Sequence, residues 1–187
     1  MSDLASLLME LSDIPGPSGF EHEVRKRMEL ELAPYTDKFK TDGIGSLIAE
    51  RVGPKGAPKV MMSAHMDEVG LMVRYVTSDG YVKIQTLGGW LDQALIGQKW
   101  QILTSIGTVI GISGIKTPHV MSSEEKNRIT KKDQIFLDVG ASSKQEAEEK
   151  LGIKPGDPIA PYTKSESLNK NNVLVGKAWD DRTGLAV

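Results

Sequence analysis

The sequence has no cysteine among its 187 residues, which excludes disulfides, thiolate metal sites and cysteine nucleophiles together and leaves histidine and carboxylates as the available ligands. It also lacks a block of like charge. Lys and Arg number 23 against 25 Asp and Glu, so there is no nucleic-acid footprint and no basic partner surface. No apolar run reaches the roughly 20 residues that cross a bilayer. The first residues, Met1 to Ile14, carry Asp3, Glu10 and Asp13 and no basic stretch, which does not read as a secretory signal. A cytoplasmic protein without membrane or nucleic-acid partners is the expectation. What remains, 39% apolar and 26% charged residues, is enough to bury a core in one or two domains.

Leu4, Leu7, Leu8 and Leu11 recur at helical spacing after Asp3, a candidate cap, and predict a helix over 4–13 that Pro15, Gly16 and Pro17 end. Ser18 with Glu21 reads as a capping box for a second helix, with Val24, Met28 and Leu32 as its buried stripe. Asp42-Gly43 predicts a hairpin joining Lys38–Thr41 to Ser46–Val52. Val60 to Ala64 has no alternation and reads as a strand covered on both faces, ending at His65.

Beyond Gly70 short strands dominate: 71–76, 81–85, 100–104 and 108–112, separated by Asp79-Gly80, Gly88-Gly89 and Gly107. One helix opens at Ser143 and closes at Gly152, and a last strand pair ends at Val173–Lys177. A helix-rich start, a β-rich middle and a return to a buried strand predict an α/β domain interrupted by a β-rich insertion.

Two segments stand out for chemistry. In Ser63-Ala64-His65-Met66-Asp67-Glu68, extended backbone puts His65 and Asp67 on one side. His65 can then offer one ring nitrogen to a metal while Asp67 holds the other; a local hydrogen-bonded turn is the plain alternative. In Lys177-Ala178-Trp179-Asp180-Asp181-Arg182, two adjacent acids need a positive partner, either a metal or Arg182. His22 is expected on a solvated helix face, His119 in packing or an interface, and Trp90, Met61, Met62 and Met72 in the core or at subunit contacts. Ser63 and Thr183 have no base nearby to make them nucleophiles.

These segments, together with Gly16-Pro17-Ser18-Gly19-Phe20-Glu21, Thr41-Asp42-Gly43-Ile44-Gly45, Leu87-Gly88-Gly89-Trp90, Lys116-Thr117-Pro118-His119, Asp138-Val139-Gly140-Ala141 and Pro155-Gly156-Asp157, run in order along the chain. The set resembles the tetrahedral aminopeptidase family of two-metal peptidases, which includes glutamyl aminopeptidases and homologues labelled endoglucanases. The resemblance implies a mixed-sheet α/β metallopeptidase catalytic domain over 1–66 and 170–187, incomplete here, with an inserted β-barrel or PDZ-like dimerisation domain over 67–169. It implies that His65 is a terminal metal ligand, that Asp67 orients it as the catalytic acid residue, that Asp180 bridges two metals and that Asp181 helps behind it. It further implies two divalent cations, zinc or cobalt, peptides with a free N-terminus as substrates, and dimers assembling into a dodecamer. The family's Glu-Glu pair, a further acid and a late histidine lie in its later half, so this stretch alone is expected to be inactive. Rival readings are a two-metal deacylase, a glucanase-type hydrolase, which needs paired carboxylates instead, and a non-catalytic assembly module.

Overall fold

A computed structural model describes residues 3–169 and 173–187. The chain divides into two compact units, one of residues 1–67 with 165–187 and one of residues 68–164. The expected point of return at residue 170 and the cap by the Asp3 side chain fall outside what is described.

The first unit opens with α1 (Asp3–Asp13), whose Leu11 is fully buried with Val24 and Met28 of α2 (His22–Leu32). β1 (Lys38–Thr41) pairs antiparallel with β2 (Leu47–Glu50) as the Asp42-Gly43 turn predicts, Lys38 opposite Glu50.

In the second unit, β3 (Gly70–Val76), β4 (Val82–Leu87), β5 (Lys99–Thr104), β6 (Gly107–Gly114), β7 (Phe136–Asp138) and β8 (Pro158–Pro161) close into a barrel in the order β3-β4-β7-β6-β5-β8. Closure leaves no unpaired edge to water. The interior is apolar: Leu71, Val73, Val82, Ile84, Trp100, Ile102, Leu137 and Ile159 are all buried. On β3 a bulge between Val73 and Tyr75 resets the alternation, so that Val76 turns inward although it is an odd number of residues from Val73. Trp100 spans the core, and its indole Nε1 donates to Ser113 Oγ at 3.1 Å, which lets a polar ring edge be buried. A short helix, α3 (Ser123–Lys126), and a π-helical turn over Glu146–Lys150 decorate the barrel.

The chain returns through β9 (Glu166–Leu168), paired antiparallel with β10 (Val173–Val175), and ends in α4 (Trp179–Ala186). Among the described residues no helix is long and apolar enough to cross a membrane.

Three expectations need correction. Residues 60–64 form no strand, and Val60, Met61 and Met62 are 82%, 89% and 78% exposed, so the two methionines are not core. An apolar run signals hydrophobicity but names no partner, and no described strand pairs with this one. Second, among the described residues the first unit holds two antiparallel pairs and no mixed sheet, and β10 is largely exposed rather than buried. Third, Ser18 and Glu21 make no capping box; α2 starts without a side-chain cap, because both side chains are engaged elsewhere.

Candidate metal centre

Residues 61–67 run without regular structure, and within them His65 and Asp67 lie on one side, as their spacing predicts. The imidazole Nδ1 of His65 is 3.0 Å from Asp67 Oδ1. Its other nitrogen, Nε2, is 2.9 Å from Asp180 Oδ1, a residue 115 positions away. The two segments singled out in the sequence therefore meet at one imidazole. Asp180 is 96% exposed at its side chain and His65 is half-exposed.

Several contacts deliver Asp180 to that point. The chain leaves β10 through Gly176, where an added Cβ would stand 2.7 Å from Ser165 Oγ and 2.8 Å from Ser12 Oγ, so only glycine fits. Ser12 Oγ donates to the Lys177 carbonyl at 2.5 Å, and Lys177 Nζ donates to the Ile14 carbonyl at 3.3 Å. Ala178 then adopts the left-handed conformation, and Asp180 and Asp181 are non-helical before the regular turns of α4 begin. The Asp180–Asp181 peptide is cis. Asp181 Oδ1 accepts the Gly184 N–H at 3.0 Å, so its carboxylate caps the turn that carries Asp180.

Arg182 does more than the sequence suggested. It is fully buried, its Nε donates to the Met66 carbonyl at 2.6 Å, and its Nη1 donates to the carbonyls of Leu11 at 2.5 Å and Ile14 at 3.1 Å. One guanidinium thus ties together the end of α1, the main chain between His65 and Asp67, and the turn after Asp180. Its rigid fork suits it to several carbonyls at once.

Ser18 is a second residue that sequence reasoning misplaced. Its hydroxyl donates to Asp67 Oδ2. Pro17-Ser18-Gly19-Phe20 is a turn closed by Phe20 N–H to the Pro17 carbonyl at 2.8 Å, with Gly19 at φ +88°. A positive φ at the third residue calls for glycine, and that Pro-Ser-Gly signature is the signal that could have marked Ser18 as a turn residue. Glu21 meanwhile accepts the Gly19 N–H at 2.6 Å.

Burial works against the charged imidazole of His65, but the hydrogen bond to Asp180 and the negative charges of Asp67 and Asp180 outweigh it and raise its pKa above the ordinary value. A cleft of about 280 Å³ opens beside the pair, with Met28, Leu32 and Leu47 on its apolar wall and Glu21, His65 and Asp67 among its polar lining. His22 is exposed on α2 beside Glu23, 3.3 Å away, as expected. His119 lies in an exposed turn. Trp90 donates to the Gly70 carbonyl at 3.0 Å and sits edge-on to Trp100.

An imidazole whose Nδ1 faces a carboxylate, with a second carboxylate at its Nε2, is a donor set of the kind divalent cations take. It is a partial one. Among the described residues no group of three or more His, Asp and Glu side chains is placed to hold a metal, whereas each of two cations wants about four donors.

Residues 45–187 match the family described as M42 glutamyl aminopeptidase. The lysyl aminopeptidase of Pyrococcus furiosus is 39% identical over 152 residues, 80% of this chain and 43% of that relative. A TET aminopeptidase from a marine sediment archaeon of the Thaumarchaeota superposes with a TM-score of 0.93 at 38% identity, covering 98% of this chain and 51% of the other. The TET1 peptidase of Pyrococcus horikoshii, which can assemble into a tetrahedron or a large octahedral shell, gives 0.85 at 30% identity, covering 98% and 54%. The chain spans about half the length of the curated relatives it matches.

Proposed function

The chain belongs to the M42 glutamyl aminopeptidase family, and from that premise we propose that the whole protein is a metal-dependent aminopeptidase removing N-terminal residues from peptides. The observation that carries the proposal is the His65 imidazole, backed by Asp67 at Nδ1 and facing Asp180 at Nε2. His65 and Asp180 are the residues of this stretch that would hold the family's divalent cations, zinc or cobalt, and the remaining donors and the general base would come from residues outside it. Bound there, the cations supply Lewis acidity and a water of lowered pKa.

The protein's own residues have simpler tasks. Asp67 holds the Nδ1 proton of the neutral imidazole, which leaves the Nε2 lone pair pointing at the centre. Asp180 contributes negative charge from an exposed turn, and Asp181 keeps that turn in shape by its bond to Gly184. Arg182 holds the Met66 carbonyl, and so the spacing between His65 and Asp67, without entering the centre.

The barrel of residues 68–164 is read as the family's inserted PDZ-like dimerisation domain, and the assembly as a homo-oligomer built from dimers toward a dodecamer. The tetrahedron and octahedral shell of the P. horikoshii relative support that reading. A cytoplasmic location fits peptide substrates. Glutamyl in the family description and lysyl in the P. furiosus relative are opposite in charge, so what this chain shares with both does not fix the side-chain preference. The 187 residues by themselves are proposed to be inactive.

The test is made on a protein carrying the family's whole length. Chelation should abolish release of N-terminal residues, and metal analysis should return two ions per subunit. His65→Ala should lower activity about 100-fold or more and reduce metal content while leaving the fold intact, since the side chain is half-exposed. Activity that survives chelation, or a His65→Ala variant with full metal content, would sink the proposal.

A further inference from the structure

Resting on the metal reading above, we propose that Ser18 is a positioning residue for the centre: its hydroxyl, donated to Asp67, fixes the carboxylate that orients His65. Asp67 uses its two oxygens on two partners. Oδ1 faces the imidazole Nδ1 at 3.0 Å and Oδ2 takes the Ser18 hydroxyl. A carboxylate held at one oxygen can rotate about its Cβ–Cγ bond; held at both, it presents Oδ1 in one plane.

Ser18 and Asp67 are far apart in sequence, and Ser18 is exposed, so water competes for both groups and a floating serine would contribute little. The backbone removes that difficulty. Ser18 occupies the second position of the Pro17–Phe20 turn, closed at 2.8 Å, with Gly19 in the positive-φ conformation and its N–H bound to Glu21 Oε1 at 2.6 Å. The same Arg182 guanidinium that holds the Ile14 carbonyl ahead of this turn holds the Met66 carbonyl next to Asp67. The distance from hydroxyl to carboxylate is set by rigid parts, and closing the contact orders little that is not already ordered. Ser18 acts through Asp67, whose Oδ2 takes its hydroxyl.

The test is made on a protein carrying the family's whole length, freed of metal and refilled with Co²⁺ alone as the probe. Paramagnetic broadening of the His65 imidazole signals, identified by their loss in His65→Ala, reads occupancy even of a weak site. Ser18→Ala is expected to weaken Co²⁺ binding about tenfold, and Ser18→Thr, which keeps the hydroxyl, to restore most of it. In an Asp67→Asn background Ser18→Ala should add nothing, because the pair acts as one unit. Equal binding by Ser18→Ala and the natural chain, or the same loss in both backgrounds, removes Ser18 from the proposal and leaves the metal reading standing. Wild-type His65 signals that ignore Co²⁺ remove both.

Discussion

The two compact units of this chain solve the same folding problem to different degrees, and the functional residues lie in the less finished one. The barrel of residues 68–164 pairs every strand on both sides and closes around Trp100, Ile102, Leu137 and Ile159, so its apolar surface and its strand edges are satisfied from within. Among its described residues the unit of residues 1–67 and 165–187 has two antiparallel strand pairs, exposes Val60, Met61 and Met62, and is held in its middle by a buried arginine bonded to main-chain carbonyls. Its imidazole and carboxylates stand on irregular backbone, His65 half-exposed and Asp180 almost fully exposed. A closed core confers stability and gives little chemistry; convergent polar groups on irregular backbone give chemistry and need dedicated supports.

That contrast can be broken most sharply in the barrel. Trp100→Ala removes the largest buried side chain and also leaves Ser113 without its indole donor, so the barrel should lose about 3–5 kcal/mol. Hydrogen exchange across 68–164 is the measurement, and exchange there that stays as slow as in the natural chain would end the reading of a single closed core. In the other unit the equivalent support is polar. Arg182→Met keeps the bulk but removes the donors of the Leu11, Ile14 and Met66 carbonyls, a loss of about 3 kcal/mol. Faster exchange is expected at the end of α1 and around residue 66, and a Lys at 182, without the planar fork, should recover only part of it. An Arg182→Met chain with unchanged protection in both segments would show that the guanidinium is not what holds them.

How much of this was legible in the sequence follows from the same contrast. The helices, the 38–50 hairpin and four barrel strands are written in local periodicity and turn chemistry, which act within a few residues. β7 and β8 escaped because each is only three or four residues long, and β8 is bounded by Pro158 and Pro161, which mask a strand pattern. The segment 60–64 is apolar enough to predict a strand, but hydrophobicity alone does not supply a pairing partner. At the site, His65, Asp67 and Asp180 are visible as residue types just after apolar runs that read as strands. Ser18 was hidden by a plausible local role: the Ser-x-x-Glu pattern describes a capping box, and only the turn that points the hydroxyl at Asp67, 49 residues on, decides otherwise. In the sequence Arg182 reads as a charge that neutralises its acidic neighbours, but its bonds to three carbonyls from two separate segments have no sequence signature.

The smallest expected effect separates the two units by acid. In the barrel, Glu146 accepts the Ser142 N–H at 3.0 Å and the Ser142 hydroxyl at 2.8 Å, and it pairs with Lys150 at 3.1 Å. The backbone bond first, then the hydroxyl and the lysine, hold its pKa down to about 2. A carboxylate with a depressed folded-state pKa binds fewer protons folded than unfolded, so its contribution is fully present above the unfolded value near 4.5 and is lost as pH falls from there to about 2. Glu146→Gln keeps the shape and removes the titration. The melting temperature of the natural chain should therefore exceed that of the variant at pH 6, and the gap should close on acidification through that window. Because the group is at the surface, the gap is small and salt-sensitive. In the other unit, Glu10 is also held low, chiefly by its hydrogen bond from Arg27, so acid sensitivity reported by residues 3–67 should persist in Glu146→Gln. A gap that does not change with pH would mean that Glu146 supports its turn by shape and not by charge.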